Sequence, residues 1–326
     1  MQILRIFLLP ALGLLGACDT APTPSAQRSA LRSAPTQHLL LPWGEGPQQL
    51  ALHRAVSEAL DEGPSAVAID SEGHVLIVDR LNHRVVRLGD SGIVASSPIT
   101  PDVELIAAGP GGSFAAYSPL RAHVTIVDFA VDGASKTVGE IDVPRGIREA
   151  QGINLGPSRR IEVTTSFQET FQLGSPSFAL PLPVVMQSKE EGMLRFEGGK
   201  RAQVVRVNGA TELQVIGPRG ERTPIQRTAL EGDAAMLVGA TGNVACARTE
   251  TLPPNSAEIT VTRRAVCVDV TSGKQVLSID LPAPGLYLPK HELAVGAGRI
   301  ATIVAESDGL AVDVYDLPSV RGGGAR

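Results

Sequence analysis

From Ser65 onward, short runs of alternating apolar and polar residues follow one another, separated by turns rich in Gly, Pro, Asn and Asp. Such alternation is typical of β-strands. The runs fall into groups of four that repeat about every 45 residues, which is the length of one four-stranded propeller blade. The sequence therefore predicts an all-β domain over residues 38–320, a six-bladed β-propeller. A β-sandwich is the alternative, and it explains the alternation but not the period.

The groups are unequal in quality. The third is poor, and the fourth is predicted to begin with a strand at 184–187. The sixth has three strands, 292–295, 299–305 and 310–317, and we expect residues 38–43 to supply the fourth and close the ring, which would hide strand edges. Residues 48–60 have weak helical spacing and are better interpreted as an irregular connection.

The clearest group spans residues 65–88, where three β-rich runs are joined by two short turns. Gly73 can adopt the positive φ of a bulged hairpin, and Asp79 can accept turn amides and pair with Arg84. Asn82 tolerates the left-handed conformation in the second turn. The block resembles a single NHL repeat, of the kind found in NHL- and TolB-like propellers. That resemblance implies structural turn roles for six residues: Asp70, Gly73, Asp79, Asn82, His83 and Arg84.

Two cysteines, Cys246 and Cys267, lie in the two arms of a predicted hairpin. If they face each other, Glu250 faces Arg263, and opposite charges directly across a strand pair favour that register. A disulfide fits such a pair only at a non-hydrogen-bonded position. We expect a disulfide in an oxidising compartment. Two buried free thiols are the alternative, and a metal site is disfavoured because no histidine is near.

The amino terminus carries one positive charge and then ten mostly apolar residues, a length typical of a secretory signal. The residues Leu15-Gly16-Ala17-Cys18 resemble the lipobox of bacterial lipoproteins. The resemblance implies a signal peptide over 1–17, lipid on the Cys18 thiol, and attachment to the membrane of the cell envelope. Residues 18–37 are rich in Ser, Thr, Ala and Pro and are predicted to be a disordered tether, as is a Gly-rich tail at 321–326. Whether the inner or the outer membrane is the target stays open.

The net charge of −5 and the pI of about 5.7 argue against a nucleic-acid partner. The six histidines are scattered, there is no G-x-S-x-G motif, and no catalytic residue, metal ligand or cofactor is identified. We expect a binding or scaffold propeller for an envelope protein, peptide or glycan. The alternative is a lactonase- or lyase-like propeller enzyme that uses calcium or zinc in the central channel, with Asp70, Asn154 and Asn243 as weak candidates.

Overall fold

The computed structural model describes most of residues 34–318, and no helix among the described residues is long and apolar enough to cross a membrane. Their regular structure consists of 24 strands and one 3₁₀ turn at Pro110–Gly112. Within 34–318, the structure does not describe residues 57–59, 131, 145–146, 148–149, 157–158, 166–168, 175–189, 192–193, 196–199, 218–222 and 253–260.

The strands form six four-stranded antiparallel sheets, which we call blades 1 to 6. Blade 1 contains β2 (Val67–Ile69), β3 (Val75–Asp79), β4 (Arg84–Gly89) and β5 (Gly92–Pro98). Blade 2 contains β6 (Leu105–Ala108), β7 (Ser113–Ser118), β8 (His123–Phe129) and β9 (Ser135–Asp142). Blade 3 contains β10 (Ala150–Leu155), β11 (Ile161–Thr165), β12 (Glu169–Gly174) and β13 (Glu190–Glu191).

The second half of the chain repeats this pattern. Blade 4 contains β14 (Leu194–Arg195), β15 (Arg201–Val207), β16 (Ala210–Ile216) and β17 (Gln226–Leu230). Blade 5 contains β18 (Ala234–Thr241), β19 (Val244–Thr251), β20 (Thr262–Asp269) and β21 (Gln275–Leu281). Blade 6 contains β22 (Leu293–Gly296), β23 (Arg299–Ala305) and β24 (Gly309–Asp316), with β1 (Gln37–Pro42) as its outermost strand.

The six sheets form a ring, because the first strands of neighbouring blades contact each other. These contacts join β22 to β2, β2 to β6, β6 to β10, β14 to β18 and β18 to β22. Each blade therefore has its first strand at the centre and its fourth strand outside. The fold is a six-bladed β-propeller, as the period of the sequence predicted, and the sandwich alternative is wrong.

The ring is closed by the two ends of the described chain. Strand β1 pairs antiparallel with β24, from Gln37 opposite Val314 to Pro42 opposite Gly309. The prediction that the segment after the tether completes the sixth blade is confirmed. This closure ties the start of the domain to its end, with 278 residues separating Thr36 from Val314, so blade 6 is complete only when both ends have come together.

Several predicted strands needed correction. The fourth blade ends with β17 (Gln226–Leu230), which the sequence analysis omitted, and its predicted first strand at 184–187 lies outside the described residues. Blade 1 has a fourth strand, β5, which was also omitted. Both strands have few large apolar side chains: β5 alternates weakly and β17 is QRTAL. An outermost strand buries little surface, so its hydrophobic pattern is weak.

The hydrophobic core lies between neighbouring blades. Separate clusters of buried side chains fill the interfaces of blades 6 and 1, 1 and 2, 2 and 3, 4 and 5, and 5 and 6. Many members are small, such as Ala115, Ala245 and Ala301, which lets the sheets approach closely near the centre. Each larger buried side chain contributes about 1.5–3 kcal/mol of burial free energy.

Candidate functional site

The turns alternate between the two faces of the ring, because consecutive strands of each blade run in opposite directions. We call the face that holds the loops into each first strand, and the turns between second and third strands, the upper face. Its described residues are 43–56, 60–65, 80–83, 99–104, 119–122, 143–144, 147, 208–209, 231–233, 252, 261, 282–292 and 306–308.

The opposite face carries the remaining turns, and we call it the lower face. One contact within blade 6 and one between blades 6 and 1 support the assignment. On the upper face, Trp43 Nε1 donates to the Glu306 carbonyl (2.9 Å). On the lower face, Arg299 donates to the Gly73 carbonyl (3.2 Å). The lower-face residues that the structure describes are 34–36, 70–74, 90–91, 109–112, 130, 132–134, 156, 159–160, 200, 217, 223–225, 242–243, 270–274, 297–298 and 317–318.

The predicted turn residues of blade 1 hold the chain that follows β1. Asp79 is fully buried, and its Oδ1 accepts the Ala51 amide (3.1 Å). Its Oδ2 accepts from Asn82 Nδ2 (2.8 Å) and from Arg84 Nε (2.9 Å). Arg84 and Asn82 in turn donate to backbone carbonyls of the segment 44–49. We call Asp79, Asn82 and Arg84 the clamp, because they fasten the ring-closing segment to blade 1.

One turn prediction in this block is wrong. The residue with positive φ in the second turn is His83 (φ 52°), and Asn82 is not among the described residues in the left-handed region. The Asn82 amide is instead committed to Asp79 and to the Gly44 carbonyl. Gly73 does adopt a positive φ, 88°, in the first turn.

A second polar cluster lies on the lower face, at the turn after β2. Ligand atoms of Asp70, Glu72 and His74 lie within 4.8 Å of one another, which is close enough to hold a metal ion. The guanidinium of Arg87 lies among them, 3.0 Å from Asp70 Oδ2 and 2.6 Å from His74 Nδ1, and it also contacts Glu72. Since arginine only donates, His74 Nδ1 is the acceptor in its contact with Arg87. Arg87 thus supplies the positive charge of this cluster, which favours a structural role.

A third group lies on the upper face, where the chain enters the innermost strands of blades 6 and 1. His291 forms a parallel bridge with Ala66, and its amide donates to the Ser65 carbonyl (3.1 Å). Three buried polar atoms here have no hydrogen-bond partner among the described residues: His291 Nε2, Ser65 Oγ and Arg248 Nε. Leaving such atoms unpaired costs about 1–3 kcal/mol each. We call these three residues the mouth cluster.

The mouth cluster holds a neutral imidazole at pH 7. Burial and, after it, the positive charges of Lys290 and Arg248 lower the pKa of His291 to about 4, although the charge of Glu104 acts in the opposite direction. Lys290 contacts Glu104 across the top of blade 1, so three successive loops meet at this place. A neutral imidazole, a hydroxyl and a guanidinium N–H together can bind a polar group through hydrogen bonds.

Beside the mouth cluster lies a buried ion pair. Glu292 accepts two hydrogen bonds from Arg263 Nη1 (2.6 and 2.8 Å) and one from Arg248 (3.2 Å). Arg263 also donates to the Pro282 carbonyl (2.6 Å). This pairing connects blade 5 to the loop before β22. It holds the Arg248 guanidinium through Nη1 and leaves Nε without a partner among the described residues.

The cysteine prediction is confirmed in its register and its bond. Cys246 faces Cys267 and Glu250 faces Arg263, and a disulfide joins the cysteines, whose Cα atoms are 4.0 Å apart. The expected charge pair across the strands does not form: Arg263 turns to the buried Glu292, and Glu250 pairs with Arg248 on its own strand (3.0 Å). A bidentate buried partner outcompetes an exposed one.

Exposed apolar side chains are distributed unevenly between the faces. Among the described residues ten large apolar side chains are exposed, and six of them lie on upper-face loops: Val56, Leu60, Leu120, Leu252, Val261 and Leu288. One, Ile225, lies on the lower face, and the other three lie on strands. Scattered exposed leucines are normal on any protein, but their concentration on one face is typical of an interaction surface.

The other predicted site residues do not join the mouth cluster. Cys18, the signal peptide, most of the tether and the tail lie outside the described residues. Asn154 is on β10, where its amide donates to Glu162 (3.4 Å), and Asn243 is exposed in the turn between β18 and β19. Sequence reasoning missed His291, Ser65 and Arg248. The only available signal was the position of Ser65 and His291 just before a first strand.

The sequence matches no known protein-family model, and no curated protein sequence is similar to it. Solved structures share only the fold. A PQQ-bound aldose sugar dehydrogenase from Streptomyces coelicolor aligns over 87% of this chain and 100% of its own, with 12% identity and a TM-score of 0.43. Virginiamycin B lyase from Staphylococcus aureus aligns over 86% and 99%, with 14% identity and a TM-score of 0.38. A putative exported protein from Bacteroides fragilis aligns over 83% and 95%, with 8% identity and a TM-score of 0.43. These likenesses concern the fold alone.

Proposed function

We propose that this chain is an exported lipoprotein of the bacterial cell envelope, anchored through Cys18, whose propeller binds an envelope protein, peptide or glycan at its upper face. The observation that carries the proposal is the concentration of exposed apolar loop residues on that face. Of the seven exposed large apolar side chains that lie on described loops, six lie on this face.

The mouth cluster supports the same face. His291 Nε2, Ser65 Oγ and Arg248 Nε are buried polar atoms without partners among the described residues. A purely structural interior satisfies nearly all such atoms. A bound partner that presents a carbonyl or hydroxyl group would satisfy them while its apolar groups cover the surrounding leucines. Ligand-binding sites commonly combine a small number of convergent polar groups with apolar surroundings.

The test is site-specific photo-crosslinking of the full chain in cells. A photoreactive amino acid is placed at Leu120 or Leu252 on the upper face, and at Ile225 or Val94 as matched controls on the lower face and an outer strand. All four positions are exposed, so the substitution itself costs little stability. We expect discrete adducts from the upper-face positions and none from the controls. Equal adducts from all positions, or none from any, would contradict the proposal.

Anchoring is tested separately by metabolic labelling with a palmitate analogue. The wild-type chain should incorporate the label and partition with membranes, and Cys18→Ser should do neither. A matched control is Cys246→Ser with Cys267→Ser, which removes the other two cysteines and should keep the label. Labelling that persists in Cys18→Ser would show that the lipid is not on this thiol.

A further inference from the structure

The tether reaches the propeller on its lower face. Strand β1 begins there, since Gln37 pairs with Val314 near the lower end of β24, and the Gln37 side chain donates to the Gly89 carbonyl (3.2 Å) at the lower-face turn of blade 1. The strand then runs toward the upper face, where Trp43 contacts Glu306. The described chain therefore begins on the face opposite to the apolar loops.

The tether is short relative to the path around the ring. Between Cys18 and β1 lie 18 residues. A flexible chain of that length has a root-mean-square span of about 25 Å, against about 60 Å when fully extended. Turning the upper face toward the membrane would require the chain to extend and pass around the outside of the blades. The lower face is the side that such a tether holds near the bilayer.

The two faces also differ in their balance of acidic and basic residues. Without Glu292, which is buried and bound by two arginines, the described upper-face loops contain nine acidic residues and four basic ones, a balance of 4 − 9 = −5. The acidic residues are Glu45, Asp61, Glu62, Asp102, Glu104, Glu231, Asp233, Glu306 and Asp308, and the basic ones are Arg54, Arg80, Arg121 and Lys290. The described lower-face turns, counted in the same way without the buried Asp70 that Arg87 binds, contain three acidic and four basic residues, a balance of 4 − 3 = +1: Glu72, Asp90 and Asp132 against Arg159, Arg160, Lys200 and Lys274.

An acidic face is repelled by anionic lipid headgroups and attracts a basic surface. Glu306 and Asp308 are exposed in the turn between β23 and β24, on the same face as Leu120. Apolar side chains surrounded by excess negative charge match a protein surface that presents apolar groups among lysines and arginines. The bilayer does not fit the upper face, because lipid headgroups are anionic and because β1 begins on the opposite face.

We infer that the upper face points away from the anchoring membrane and docks a basic protein partner in the aqueous compartment. This inference rests on the proposed function, since it assumes anchoring through Cys18 and binding at the upper face. It adds the orientation and the chemistry of the partner.

The partner's charge is tested by repeating the crosslinking from Leu120 in two charge-reversed backgrounds. Glu306→Lys with Asp308→Lys changes the upper face by four charges, and Asp90→Lys with Asp132→Lys makes the same change on the lower face. We expect the first pair to lower adduct yield on the order of tenfold, and the second to leave it unchanged. Adducts that persist in both backgrounds overturn the basic partner but keep the proposed function, whereas adducts absent even in wild type overturn both.

Orientation is tested with the purified, lipidated full chain in vesicles of phosphatidylethanolamine and phosphatidylglycerol. A fluorophore on Leu120→Cys or on Asp90→Cys donates energy to a headgroup acceptor, and the unmodified cysteines are a disulfide and a lipidated thiol. We expect weaker transfer from position 120 than from position 90. Equal or stronger transfer from position 120, or photo-adducts of Leu120 with lipid, would show that the upper face meets the bilayer and would overturn the inference.

Discussion

Replacing Asp79 with Asn removes the negative charge at the centre of the clamp while keeping the shape of the side chain. The carboxylate is fully buried and accepts hydrogen bonds from Ala51 N, Asn82 Nδ2 and Arg84 Nε. An amide in its place presents an NH₂ group to at least one of these donors and leaves the Arg84 charge without its counterion. Removing one partner of a buried ion pair costs about 3–5 kcal/mol. We expect that loss of unfolding free energy, and a melting temperature lower by about 6–20 °C.

The assay is thermal and urea unfolding of the full chain, with Asp316→Asn as the control. Asp316 pairs with Arg299 at 3.1 Å, but both side chains are substantially exposed, so this substitution should cost less than about 1 kcal/mol. The double variant Asp79→Asn with Arg84→Met should be more stable than Asp79→Asn, because it also removes the stranded charge. Hydrogen exchange in Asp79→Asn should rise most at the Ala51 amide and in β1. A cost below about 1 kcal/mol, or exchange that rises uniformly, would refute the claim that the clamp fastens the ring-closing segment.

Two further predictions concern groups inside the blades. Replacing Cys246 and Cys267 with Ala opens a loop of sequence separation 21 and should lower the free energy of unfolding by about 3 kcal/mol. The measurement is urea unfolding of the variant and of wild type under the same non-reducing conditions. Equal stability would show that the disulfide does not constrain the unfolded chain. His291 has a folded-state pKa of about 4, below the ordinary 6.5, so the unfolded chain binds the extra proton first as the pH falls. The contribution of His291 to the free energy of unfolding should therefore be fully present above about pH 6.5. It should decline by up to about 3 kcal/mol as the pH falls toward 4. The measurement is the melting temperature of wild type and of His291→Gln between pH 4 and pH 7. The variant should lose less stability than wild type as the pH falls, and an equal loss would contradict the prediction.

The strand pattern determined the fold class, the number of blades and the ring closure. Alternation with a period of two shows which residues can face a core. A repeat of about 45 residues is the length of one propeller blade, and a β-sandwich does not explain such a repeat. The register of Cys246 and Cys267 was also readable, because a hairpin fixes pairing once its turn is located. Outer strands such as β5 and β17 escaped because they bury too little surface to need an apolar pattern.

The proposed binding face was decided by tertiary structure alone. Ser65, Arg248 and His291 lie on blades 1, 5 and 6 or just before them, more than 40 residues apart in sequence, and no local pattern connects them. Ring closure brings Ser65 beside His291, and the bond from Arg248 to Glu292 brings blade 5 to the same place. The partners of charged residues were equally inaccessible, as Arg263 shows: its neighbour across the strand is Glu250, but its bond is to Glu292 from the next blade. Sequence periodicity specifies which side of a strand is buried, whereas the contacts between blades depend on how six separate sheets are arranged around the ring.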